Sequence, residues 1–278
     1  LFTCHDPTLK NRMKELEKNN FSKKEINLID KILKEFTDNL IDNFPTLLLE
    51  TLTEINKLQE NRKIFLRINN DNKNYLKILD TIEKLLNDCR DIGTLYFSMM
   101  ARLAFISSII LKGLVKNKIL TEKSLNEFMG TLQTPLYEIQ NDLNSYVNGT
   151  INQKDFLSKY GHLRPGTYDI VATRYDKDAH FFNNVKYLKT KNRNHYFNEK
   201  RFKQLIHKNT SYNPEKLLFF VKESITQREK IKFEFTKNLS DAIELIAKLG
   251  KIFGFSRDEI SNLSINFILK HKNKNKNE

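Results

Sequence analysis

Apolar residues recur at three- and four-residue intervals along almost the whole chain, and turn residues are scarce. Ile26, Ile29, Leu33, Phe36 and Leu40 share one helical face, as do Leu48, Leu49, Leu52, Ile55 and Leu58, and then Leu76, Leu79, Ile82, Leu85 and Leu86. Only 8 Gly and 5 Pro occur in 278 residues. A β-sandwich or Rossmann-type sheet needs more turns than these residues can make. The expected fold class is therefore all-α, with one irregular basic segment and at most a short strand pair. The expected domain organisation is one helical domain over residues 1–269 and a charged, low-complexity tail over 270–278.

Punctuation along the chain refines this pattern. Ser22 with Glu25 and Ser256 with Glu259 have capping-box spacing. Phe44-Pro45 is expected to break a helix, and Asn69 to Asn74 to form a polar turn. Thr121 or Ser124 caps a helix that Pro135 interrupts, and Asn148-Gly149 marks another turn. Asn213-Pro214 offers a cap and a proline at the first helical position. A long helix is expected from there through Leu249, and a last one from Ser256 to about Leu269. Leu95 to Val115 is apolar apart from Arg102, Ser107, Ser108 and Lys112, and is expected to be a buried core helix rather than a membrane span.

The net charge is +13. Nucleic acid, an acidic membrane surface and phosphorylated ligands are all compatible with it. Much of the basic character lies in Asp178 to Asn213, where eight Lys or Arg and three His face two acidic residues, with aromatic residues interleaved. Cys4 and Cys89 make neither a disulfide framework nor a metal spacing, so a reducing cytoplasmic setting is expected. The chain opens on Leu1 and shows no secretory leader, which suggests a fragment or processed product. Walker A, Ser-His-Asp and zinc-ligand signatures are not found.

Candidate chemistry concentrates after one helix end. The stretch DFLSKYGHLRPGTYDIVATRYD places His162, Arg164, Tyr168, Asp169, Arg174 and Tyr175 within fourteen residues, beyond a Gly161 able to close the helix in the left-handed conformation. Each of these residues has two readings. His162 is either a cationic cap on the helix dipole or a proton donor or acceptor. Arg102 is either half of a buried ion pair with Asp91, Asp169 or Glu229, or an anchor for a carboxylate or phosphate. Arg228, Glu229 and Lys232 form either a solvated face or a polar wall opposite the loop. Tyr168 and Tyr175 either pack or touch ligand. His180, His195 and His207 are taken as surface residues.

The segment YGHLRPGTYDI resembles the stretch after the helical region in the phosphoenolpyruvate synthase and pyruvate phosphate dikinase-like family, whose members include rifampin phosphotransferase and the L-glutamine kinase of capsule phosphoramidate synthesis. GTLYFSMMARLAFISSIILKGLV and the Arg228 to Ile265 stretch resemble two further parts of that family. The resemblance covers roughly Gly93 to Leu269. It implies the helical acceptor-binding middle of an ATP-dependent phosphotransferase that works through a phosphohistidine. ATP and Mg²⁺ would bind outside this chain, on an ATP-grasp domain, and the phosphorylated histidine would lie on a swivelling domain. His162 would act at the acceptor. Arg102, Arg164, Tyr168, Asp169, Arg174, Arg228, Glu229 and Lys232 would hold a small-molecule acceptor, L-glutamine by preference. A phosphoenolpyruvate synthase-like enzyme, a basic module binding nucleic acid and a helical scaffold are the competing expectations.

Overall fold

The computed structural model describes residues 3–68, 74–166, 168–182 and 196–270. Within these residues there is no strand, and the fold is all-α. The helices are α1 (Leu9–Lys18), α2 (Lys23–Ile68), α3 (Tyr75–Asp88), α4 (Leu95–Lys116), α5 (Glu122–Gly130), α6 (Pro135–Val147), α7 (Gln153–Tyr160), α8 (Glu199–Asn209), α9 (Pro214–Ile252), α10 (Arg257–Ser261) and α11 (Ile265–Lys270). A π-helical turn, Cys89–Thr94, joins α3 to α4, and a 3₁₀ turn spans Tyr175–Lys177. Residues 271–278 of the expected tail and residues 69–73 of the expected polar turn lie outside the described residues.

Several starts follow the expected caps. Ser22 and Glu25 bond reciprocally ahead of α2, and Ser256 and Glu259 do the same at α10. The Thr121 hydroxyl accepts from the Ser124 amide at α5. Asn213 accepts from the Glu215 and Lys216 amides ahead of Pro214.

Three local expectations are corrected. Pro45 does not break the helix: α2 runs through it, because Ile41, Phe44 and Leu48 continue one buried stripe on both sides while the Pro45 ring itself is exposed. The stretch after Ser256 is two short helices, since Asn262 ends α10 and the Ser264 hydroxyl accepts the Phe267 amide to start again. Gly161 sits at φ −60, an ordinary helical value. Its glycine identity has another cause: a Cβ there would collide with the Leu157 carbonyl and the Asp176 Cβ.

The chain forms two compact units, over which residues 1–269 are distributed. Unit 1 comprises Leu1–Leu52, Ser98–Thr134 and Asn192–Glu229. In it, Leu9, Met13 and Ile26 form one cluster, and Phe44 packs edge-on against Phe219 and Phe220. The Ser107 and Ser224 hydroxyls share a buried hydrogen bond of 2.7 Å. Unit 2 comprises Thr53–Phe97, Pro135–Lys191 and Lys230–Glu278. Its cores are Ile78, Leu79, Ile82, Leu249, Ile260 and Ile268, and separately Phe156, Tyr160 and Phe182. Gly93, in the π turn, lets α9 approach closely: a Cβ there would meet the Phe235 Cβ at 2.7 Å.

Arg102 is also corrected. The buried face of α4 carries Met100, Leu103, Ala104, Ser107, Ile110, Leu111 and Leu114. Residue 102 lies off that stripe, and its side chain is exposed. The continuous helical stretch Tyr75–Lys116 is long and apolar enough, by length and composition alone, to cross a membrane, and 39% of its most apolar window is buried.

Candidate functional site

The loop from Gly161 to Asp176 is closed on itself at its base. The Tyr175 amide donates to the Leu163 carbonyl at 2.8 Å, and the Asp176 amide to the Gly161 carbonyl at 3.2 Å. Gly166, at φ 63, makes the turn that the Pro-Gly pair announces, and the Asp169 amide closes it on the Gly166 carbonyl. Leu163 packs on the Phe156–Tyr160–Phe182 core, and Ile170 on the Ile78–Leu249 core. The loop is therefore anchored by apolar contacts at two points.

Arg164 ties this loop to α9. Its guanidinium donates to the carbonyls of Asp169, Ala172 and Ser240, to the Ser240 hydroxyl at 3.0 Å and to the Glu244 carboxylate at 3.2 Å. Its side chain is 1% exposed. Arg257 repeats the device, donating to the Ile170 carbonyl and to Glu244, each at 2.7 Å. A five-donor fork suits this bracing role, whereas a lysine would lack the geometry. Arg174 is shared between Asp241 at 2.6 Å and Asp176 at 2.8 Å, and Arg62 reaches the other Asp241 oxygen at 2.9 Å. One buried carboxylate thus orients two guanidinium groups.

A cavity of about 410 Å³ lies beside this network within unit 2. His162, Arg62, Lys63, Arg174 and Lys237 line it, with Asp176, Glu234, Gln59 and Ser158. Four cations against two carboxylates leave it net positive. His162 is 7% exposed, and its Nε2 is buried without a hydrogen-bond partner. The Ser240 hydroxyl donates to its carbonyl at 2.6 Å, and its ring lies edge-on to Phe233 at 4.8 Å. Burial lowers its pKa to about 3, helped by Lys237, Arg174, Arg62 and Arg164. The imidazole is thus neutral at physiological pH, so the reading of His162 as a cationic helix cap does not hold.

The structure brings only some of the expected site residues together. His162 and Arg174 line the cavity. Arg164 braces the loop and is not among the lining residues. Asp169 is exposed and bonds the Val171 amide, Tyr168 is 52% exposed, and Tyr175 stacks on Phe181 at 4.2 Å. Lys232 is exposed on α9. Arg228 pairs with its neighbour Glu229 at 3.2 Å and lies over the Phe105 ring, all within unit 1. None of Arg102, Arg164, Tyr168, Asp169, Arg228, Glu229 or Lys232 lines the cavity. The expected ion pair of Arg102 with Asp91, Asp169 or Glu229 is not among its contacts.

Sequence reasoning missed Gln59, Arg62, Glu234, Lys237, Ser240, Asp241 and Glu244. A signal for the α9 members existed. Glu234, Lys237, Asp241 and Glu244 recur at intervals of three, four and three, which is a polar stripe on a helix otherwise rich in apolar residues. Among the described residues, no group of three or more His, Cys, Asp or Glu is placed to hold a metal. The Cys4 and Cys89 thiols are buried, and burial pushes each up to about 11, away from nucleophilic or ligand chemistry. Among family models, curated proteins and solved structures, no match to the chain was found.

Proposed function

We propose that unit 2 holds and orients the phosphoryl acceptor of an ATP-dependent, phosphohistidine-using phosphotransferase in the cytoplasm, and that the acceptor is a small zwitterion such as L-glutamine. The observation that carries this reading is a neutral, buried imidazole with an unbonded ring nitrogen at a cavity ringed by cations. Lys63 suits an anionic group, and the pairs Lys237–Glu234 at 2.7 Å and Arg174–Asp176 at 2.8 Å would exchange partners with the carboxylate and ammonium of a zwitterion. They take the parts that the sequence suggested for Arg102 or Arg164 with the carboxylate and for Asp169 or Glu229 with the ammonium.

The proposed chemistry needs little beyond positioning and charge stabilisation. In transfer to an amide, the bond from phosphorus to the donor histidine breaks as phosphorus bonds the amide nitrogen. The amide proton then leaves to His162. An empty site keeps this imidazole a weak base. An anionic phosphoryl group would offset the surrounding cations and raise its basicity when the base is needed. ATP and Mg²⁺ belong to the parts of the enzyme outside this chain.

The reading is tested by titrating the ¹⁵N-histidine-labelled chain with L-glutamine. Binding at about millimolar Kd is expected to move the His162 resonances, and Lys237→Ala to weaken it about tenfold, the loss of one charge-assisted contact. Unmoved His162 signals at saturating glutamine, or a Lys237→Ala chain that binds as well as the parent, would overturn the glutamine reading.

A further inference from the structure

Unit 1 contains a larger cavity, about 690 Å³, that the proposed acceptor chemistry does not use. Its wall is the segment ahead of α1, and that segment is held from three elements. The His5 amide donates to the Thr37 hydroxyl on α2 at 2.8 Å, and the Tyr212 hydroxyl donates to the His5 carbonyl. The Asn117 side chain, just past α4, donates to the Pro7 carbonyl at 2.5 Å. Gly113 leaves room for Pro7, whose Cδ would lie 2.9 Å from any Cβ there. Asp6 is buried and satisfied by Thr8 and Arg12.

The backbone of His5 is thus fixed at both its donor and its acceptor, yet its side chain is left incomplete. Nε2 faces Asp30 at 3.6 Å, and Nδ1 is buried without a hydrogen-bond partner. Three lysines line the same cavity, Lys10, Lys34 and Lys208, and none has an ion-pair partner among the described residues. Asp6 is already neutralised by Arg12, so Asp30 is the remaining acidic group on this wall. The unbonded Nδ1 is the ring position open to a ligand oxygen, which its N–H would meet.

We propose that unit 1 binds a small phosphorylated ligand, seated against His5 and the lysines Lys10, Lys34 and Lys208. A dianion or trianion matches three unpaired ammonium groups, whereas a monocarboxylate would leave most of that charge unanswered. The volume admits a ligand of sugar-phosphate or nucleotide size. This site is independent of the acceptor cavity, because none of its lining residues belongs to unit 2.

Inorganic pyrophosphate is the probe, and acetate the monoanionic comparison. In the ¹⁵N-histidine-labelled chain at fixed ionic strength, pyrophosphate is expected to shift the His5 ring nitrogens, and acetate to leave them in place. A Lys34→Ala/Lys208→Ala variant should lose at least about tenfold in pyrophosphate affinity, the scale of one charge-assisted contact. A Lys23→Ala/Lys24→Ala variant removes the same charge outside the cavity and should bind normally. Both pairs are exposed, and unchanged thermal unfolding would show that folding is intact. The proposal is overturned if pyrophosphate up to about 10 mM leaves His5 unmoved. It is equally overturned if the two double variants weaken binding alike, since that would mean general surface charge.

Discussion

A buried imidazole among four cations links local chemistry to stability. The pKa of His162 is lowered from 6.5 to about 3, first by burial and then by its cationic neighbours. The unfolded chain takes up a proton near pH 6.5, and the folded chain does not until far lower. Stability is therefore fully present above pH 6.5 and declines as pH falls from there toward about 3. The slope from this group approaches about 1.4 kcal/mol per pH unit inside that window. His162→Asn removes the titration. Urea unfolding at a series of pH values between 4 and 7 is expected to show a shallower decline for the variant than for the parent. Parallel curves would mean that His162 takes up its proton as readily in the folded chain as in the unfolded one, and the buried, cation-surrounded neutral imidazole on which the acceptor reading rests would fall with it. The same scale explains why Arg164 is a brace. Three carbonyls, a hydroxyl and a carboxylate occupy its two terminal nitrogens, Nε alone is left unbonded, and its side chain is closed to solvent.

At the scale of elements, α2 shows what a strong apolar stripe can override. Pro45 removes one helical hydrogen bond and crowds the Ile41 carbonyl, at a cost of about 3 kcal/mol in an ordinary helix interior. Phe44, Ile41 and Leu48 are nonetheless buried around it. The exposed Pro45 ring contributes no packing of its own. Pro45→Ala is therefore expected to stabilise the protein by about 1–3 kcal/mol, seen as a higher denaturation midpoint at unchanged m-value. A lower midpoint would show that the local geometry imposed by proline is required. Helix starts were legible because capping is local chemistry: Ser22, Asn213 and Ser256 each bond within three residues. The continuity of α2, the exposure of Arg102 and the role of Gly161 were not legible. Each depends on what another element presents, which a single sequence does not display. The candidate site was half legible for the same reason. The loop carrying His162 and Arg174 is one contiguous stretch, but its partners Arg62, Lys237 and Asp241 come from helices distant in sequence.

For the whole molecule, the charge of +13 has to be weighed against where the aromatic residues go. Nucleic-acid binding beyond simple charge neutralisation would need exposed rings on which bases can stack. Residues 183–195 of the basic stretch, with Tyr187 and His195, lie outside the described residues. In the remainder, Phe182, Phe202 and Tyr212 are buried, Phe181 stacks on Tyr175, and Phe197 packs against Phe128 and Phe202. Tyr196 stands exposed. The stacking argument thus loses most of its described members, and the counterion-release term is what remains. Fluorescence anisotropy with single-stranded homopolymers is expected to give weak binding that is similar for each base. Affinity should fall steeply between roughly 50 and 200 mM salt, as phosphate neutralisation without base contacts requires. Submicromolar binding with a clear base preference at about 0.15 M salt would place the nucleic-acid reading above the acceptor-binding one.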